Sequence, residues 1–104
     1  MNTPSFKTLD LKAHRCPTAF ISARKGIDSF LETAKTGDRL AIQTIEPSIE
    51  RDLPMYLNSD AQDLKIEQVL NGDISQKAID SWEESFDKED WEDCSQHCFV
   101  LIKS

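Results

Sequence analysis

Leu9-Asp10-Leu11-Lys12-Ala13-His14-Arg15-Cys16-Pro17 carries the chain from a short apolar strand straight into a cysteine followed by proline. Proline is favoured at the first helical position, where its fixed φ suits the helix and its absent N–H would have had no partner. The stretch therefore predicts a strand, a tight connection and a helix opening at Pro17, with Cys16 at or beside the N-cap. Unpaired amides and the positive end of the helix dipole favour an anion at that point, and cysteines so placed ionise below the free-thiol value of about 8.5. A reactive thiol is the leading expectation. The alternative is a buried structural cysteine, which packs as a small hydrophobe.

Outward from this junction the periodicity continues. Leu9 and Leu11 alternate with polar neighbours as in a half-buried strand, and Phe20, Ala23, Ile27, Phe30, Leu31 and Ala34 recur at three- and four-residue steps on an amphipathic helix that Gly37 is placed to end. The run 40–45, Leu-Ala-Ile-Gln-Thr-Ile, is apolar and β-branched enough for a central strand. Glu46-Pro47 repeats the helix-opening pattern, Ile49, Leu53, Tyr56 and Leu57 form the stripe, and Pro54 limits or kinks that helix. Leu64, Ile66 and Val69-Leu70 predict a third strand and 99–102 a fourth. The order is βαβαββ. Right-handed crossovers make the first two strands parallel and lay both helices on one face of a mixed sheet, which is an α+β fold, a two-layer α/β sandwich. At 104 residues the chain reads as a single domain over 1–104.

The net charge of −7 is concentrated. Residues 71–95 hold nine acids against two bases, which accounts for all of it, while the remaining residues hold ten of each sign. Within this acidic insertion Ile74, Ala78, Trp82 and Phe86 recur every fourth residue with Ile79 adjacent, predicting a further helix from near Asp73. No acid lies between Asp10 and Asp28, so Lys12, Arg15, Arg24 and Lys25 make the neighbourhood of Cys16 cationic. The basic excess that nucleic-acid binding requires is absent. The first residues lack a charged segment followed by an apolar one, and no apolar run nears the ~20 residues a membrane span needs. The expectation is a soluble cytoplasmic protein, a monomer or weak dimer. Three cysteines, an odd number, favour reduced thiols over a disulfide framework.

In order and spacing, Leu9-Asp10-Leu11, Arg15-Cys16-Pro17, Gly37-Asp38, Glu46-Pro47 and Arg51-Asp52-Leu53-Pro54 resemble the TusA (SirA-like) sulfur-carrier proteins over roughly residues 8–70 plus the final strand. The family signature is Cys-Pro-x-Pro, whereas Thr18-Ala19 follow Cys16-Pro17 here. Ala13 stands where glycine is common and His14 where an apolar residue is usual. The resemblance implies a fold like the C-terminal domain of the third bacterial translation initiation factor. It implies no cofactor and no metal, and a persulfide on Cys16, received from a cysteine desulfurase or rhodanese-like donor and handed to a downstream acceptor protein in a sulfur relay, for example toward tRNA thiolation. It also implies that Glu46, Arg51 and Asp52 lie near the cysteine end of the sheet and contact partners.

Bland readings stand beside these. Arg15, Arg24 and Lys25 offer an acidic partner a complementary surface, or form a plain solvated face. Pro17 shapes the cysteine's helix start. Glu46 reads first as a helix cap and Arg51-Asp52 as a surface pair. Cys94 and Cys98 with His97 between them would need His14 or Cys16 to complete a zinc site. The plainer reading puts Cys98 in the last strand and Cys94 at the end of the insertion, with a Cys94–Cys16 disulfide as a further reading. Against the sulfurtransferase stands a non-catalytic adaptor that binds a partner through residues 71–95. RNA binding by analogy with the initiation-factor fold is opposed by the charge balance.

Overall fold

A computed structural model describes residues 5–15, 17–82, 91–92 and 94–104. The elements run β1 (Phe6–Asp10), α1 (Thr18–Thr33), β2 (Arg39–Thr44), α2 (Ser48–Asp60), β3 (Leu64–Asp73), α3 (Gln76–Ser81) and β4 (Ser95–Lys103). The four strands form one mixed sheet in the order β1-β2-β4-β3, with β1 and β2 parallel and β4 antiparallel to both β2 and β3. This is the expected α+β two-layer sandwich. Its shortest dimension, 21 Å, is what one sheet and one helix layer require, each about 10 Å thick.

The layer contact follows the predicted stripes in part: in α1 the unpredicted Ala19 is buried, while Phe20, Leu31 and Ala34, the last beyond the helix end, pack on the core only partly covered. Ala19, Ala23, Ile27 and Phe30 of α1 and Ile49, Leu53, Tyr56 and Leu57 of α2 are buried against Leu40, Ile42, Phe99 and Leu101 of the central strands. Each large side chain so removed from water contributes about 1.5–3 kcal/mol. Gly26 lets α1 lie close on β1, since a Cβ there would collide with the Leu9 side chain. Pro54 sits inside α2 without ending it. The helix continues because the missing amide falls on its solvent side, where Pro54 and Glu50 are exposed.

Several boundaries differ from the sequence reading. The α1 helix begins at Thr18 with Pro17 as the flanking residue, one position later than predicted. It ends at Thr33, and Gly37 (φ 93°) serves the following turn. The turn's amides bond elsewhere, Gly37 N–H to the Lys103 carbonyl at 2.8 Å and Asp38 N–H to that of Lys35 at 2.9 Å. The β3 and β4 strands are longer than predicted and pair as a ribbon reaching past β2 to Asp73 and Ser95. A bulge between Ile66 and Gln68 aligns Val69 with Phe99 and turns Leu70 toward the helix-free face, which breaks the alternation in the sequence. Asp73 thus belongs to β3, so the insertion helix starts at Gln76, with the Ser75 hydroxyl accepting the Ala78 amide at 3.1 Å. The helix ends at Ser81, where Trp82 turns extended (φ −72°, ψ 118°), so the predicted run through Trp82 is broken there, and Phe86 lies outside the described residues.

A second, smaller cluster sits at the ends of the strands. Ala13, Ile45 and Trp82 are buried there, and Ile74, Ile79, Trp91 and Cys94 pack on them. Trp82 and Trp91 meet edge to face, centroids 6.5 Å apart. The insertion is thereby tied to the loops that follow β1 and β2.

Candidate functional site

Because β1 and β2 are parallel, the loops leaving them emerge at the same end of the sheet, and both lead into helices. In the first loop the Asp10 carboxylate accepts the Lys12 amide at 2.8 Å, and the His14 amide bonds the Leu11 carbonyl at 3.1 Å. Lys12 adopts φ 54°, a left-handed conformation that costs a non-glycine residue about 1–2 kcal/mol. The reversal delivers Arg15 to the start of α1, whose hydrogen-bond ladder opens from the Arg15 carbonyl (Ala19 N–H, 2.9 Å) and the Pro17 carbonyl (Ile21 N–H, 3.1 Å). Cys16 itself lies outside the described residues.

Glu46 performs the parallel task on the second loop. It is buried, its amide donates to the Thr44 hydroxyl at 3.0 Å, and one carboxylate oxygen accepts the Ser48 amide at the α2 terminus at 3.4 Å. The other oxygen accepts Arg15 Nε at 2.7 Å. A half-exposed guanidinium thus joins a carboxylate that is mostly hidden from solvent, with side-chain exposures of 49% and 10%. Such a charge-assisted bond is worth more than a fully solvated pair. Arg15 Nη1 also lies 3.6 Å from Cys94 Sγ. One guanidinium therefore links the first loop, the second loop and the end of the insertion.

The other expected contact residues fall elsewhere. Arg24 lies over the Tyr56 ring, 5.3 Å from its centroid, and the Tyr56 hydroxyl donates to Asp28 at 3.0 Å. Burial, chiefly, and then the Asp28 carboxylate hold that phenol above its ordinary value, against the opposing pull of Arg24. Arg24, Asp52, Met55 and Tyr56 border an open cleft of about 550 Å³ between the two long helices. Lys25 is solvated on the outer side of α1. Arg51 is exposed and reaches its neighbour Asp52 at 3.1 Å. The structure brings Arg15, Pro17 and Glu46 together at the strand ends and groups Arg24 with Asp52 in the helix cleft. Tyr56 carried no functional signal in the sequence, since its position in the stripe reads only as core.

The three residues of the zinc reading diverge. Cys98 and His97 are consecutive in β4 and point to opposite faces, Cys98 opposite Gln43 and Leu70 and His97 opposite Thr44 and Asn71. His97 Nδ1 is 2.6 Å from Asn71 Oδ1, while burial pushes the Cys98 thiol up. Among the described residues no group of three or more His, Cys, Asp or Glu is arranged to hold a metal. None of the described helices is long and apolar enough to cross a membrane.

Fold and site together define a two-layer α+β architecture with an arginine-bridged loop pair beside the Pro17-capped start of α1. Compared with known proteins, the chain matches no family model and no curated protein sequence.

Proposed function

We propose that this protein carries sulfur as a persulfide on Cys16, accepting it from a cysteine desulfurase or rhodanese-like donor and passing it to an acceptor protein. The single observation that carries the reading is the start of α1. Its hydrogen-bond ladder opens from the carbonyls of Arg15 and Pro17, the residues on either side of the cysteine in the chain. A helix N-terminus favours a thiolate over a thiol, and the thiolate is the species that attacks a donor's terminal sulfur. The ordering of residues 13–15 by Glu46 and the small apolar cluster supports the same reading, because a carrier must present its sulfur from a defined loop. Such chemistry needs no cofactor.

The test is direct loading. Incubation with a cysteine desulfurase and cysteine adds about 32 Da to the peptide containing Cys16, and Cys16→Ser removes that adduct. A chain that stays unmodified under conditions that load an established sulfur carrier would overturn the proposal.

A further inference from the structure

Of the described strands, β3 is the longest at 10 residues and stands at an edge of the sheet, paired on one side only. Its outer row of amides and carbonyls is open to another chain, a hazard that proteins ordinarily blunt with short strands, proline, bulges or edge lysines. This edge has little such protection. It contains no proline, its one lysine and its bulge lie toward the start, and residues 67–73 are exposed without interruption. Val69 and Leu70 stand out on opposite faces, 41% and 50% exposed. Beyond the end of β2, Gly72 and Asp73 pair only with Gln96 and Ser95 of β4. A ribbon of two strands is weak in water until a third joins it. The edge is also self-complementary in charge. Lys65 and Asp73 sit exposed at its two ends, and among the described residues neither forms an ion pair, while Glu67 is taken by Arg39 at 2.9 Å. Parallel pairing of two such edges would set like beside like. Antiparallel pairing brings each lysine to the other copy's aspartate.

We infer that β3 pairs with the β3 of a second copy of this chain, antiparallel about a two-fold axis at Val69, so that two sheets become one continuous sheet. Such an interface is isologous and closes on itself as a dimer. Val69 then faces its own counterpart, and Leu70 faces Gln68, both on the helix-free side of the sheet. The bulge steps past Glu67, so Lys65 falls opposite Gly72 and next to Asp73 of the other copy with the face of each residue preserved. Gly72 leaves that place clear, since a Cβ there would meet nothing within 4 Å. On the helix side, residues 71–73 of the second copy run beside a groove of about 550 Å³ that α2 and the start of β3 leave open, lined by Pro54, Leu57, Gln62, Leu64 and Ile66. The acidic insertion follows Asp73 in the chain, so the two insertions set out from opposite ends of the joined edge. Their like charge is thereby kept apart.

Sedimentation equilibrium of the full chain from micromolar to millimolar concentration tests this. The expected result is a reversible dimer. Val69→Lys sets two like charges opposite each other at the axis and should leave only the single-chain mass, with unchanged far-ultraviolet dichroism because the site is exposed. Lys65→Glu should weaken the dimer about tenfold by turning both end pairs repulsive, and Lys65→Glu with Asp73→Lys, which exchanges the charges, should restore it. If Val69→Lys alters the dichroism, the charge exchange decides alone. A full chain that keeps the single mass at every concentration overturns the inference and leaves the edge to a strand from another protein. A dimer that survives Val69→Lys, assemblies larger than a dimer, or a charge exchange that restores nothing each overturn it as well.

Discussion

At the turn before β2 the Asp38 carboxylate accepts the amides of Ser5 and Lys35, both at 2.9 Å, and so clamps the residue before β1 to the α1–β2 connection. These bonds, the Lys35 amide first and the Ser5 amide next, hold the carboxyl below its ordinary 3.8. A depressed folded-state value means that the charged form stabilises the native protein above the unfolded value. That contribution fades as the pH falls from the ordinary carboxylate range through the depressed one. Asp38→Asn should therefore flatten the acid limb of stability below about pH 4 relative to the natural chain, as measured by urea titrations at stepped pH. Parallel acid limbs in the two proteins would show that the clamp carries no such linkage. Asp38 was visible in the sequence only as part of Gly37-Asp38. Its partners are one nearby amide and one thirty-three residues away, which no local pattern encodes. Glu46 presents the same contrast. Its position before Pro47 reads as a cap, while its bond to Arg15, thirty-one residues distant, exists because parallel strands deliver both loops to one end.

Among the elements, α1 and β1 make the tightest test of packing. Gly26 faces the end of the Leu9 side chain, where an added methyl group would collide. Gly26→Ala alone forces the partly exposed Leu9 side chain to move, so it should give less than the ~1 kcal/mol that alanine gains over glycine in a helix. In a Leu9→Ala background the obstruction is gone, and the same change should stabilise by ~1 kcal/mol. Chemical denaturation of the four proteins closes this cycle, and purely additive values would deny the close approach. Helix stripes were legible residue by residue because burial imposes the 3.6-residue period directly on the sequence. All four predicted α2 positions, Ile49, Leu53, Tyr56 and Leu57, are buried. The β3 strand was harder to bound because its bulge changes which residues face the helices halfway along.

For the molecule as a whole, the two cores are unequal. The main one unites both long helices with all four strands, while the strand-end cluster rests on Ala13, Ile45 and Trp82 with a few partly covered neighbours. Both tryptophans of the chain, Trp82 and Trp91, belong to the smaller cluster. Their fluorescence therefore reports the insertion, while far-ultraviolet dichroism reports the sheet and long helices. Regions with little buried apolar surface open at lower free energy than the global transition. In a urea titration the fluorescence midpoint should precede the dichroism midpoint. Coincident curves would mean that the insertion and the sandwich unfold as one unit. The same cluster, which includes Cys94, also holds the loop carrying Arg15.

Local chemistry settled what the sequence alone established. Apolar period and Pro placement specify two helices against a mixed sheet, charge patterning isolates residues 71–95, and Cys-Pro marks a helix start. Those signals survive in one dimension because they depend on each residue's own propensity and on neighbours three or four positions away. Tertiary structure alone decided that β4 separates β2 from β3, that Arg15 bridges Glu46 and Cys94, and that the insertion folds its tryptophans onto the loop ends. Each of these joins residues tens of positions apart, and only closure of the sheet brings them within bonding distance.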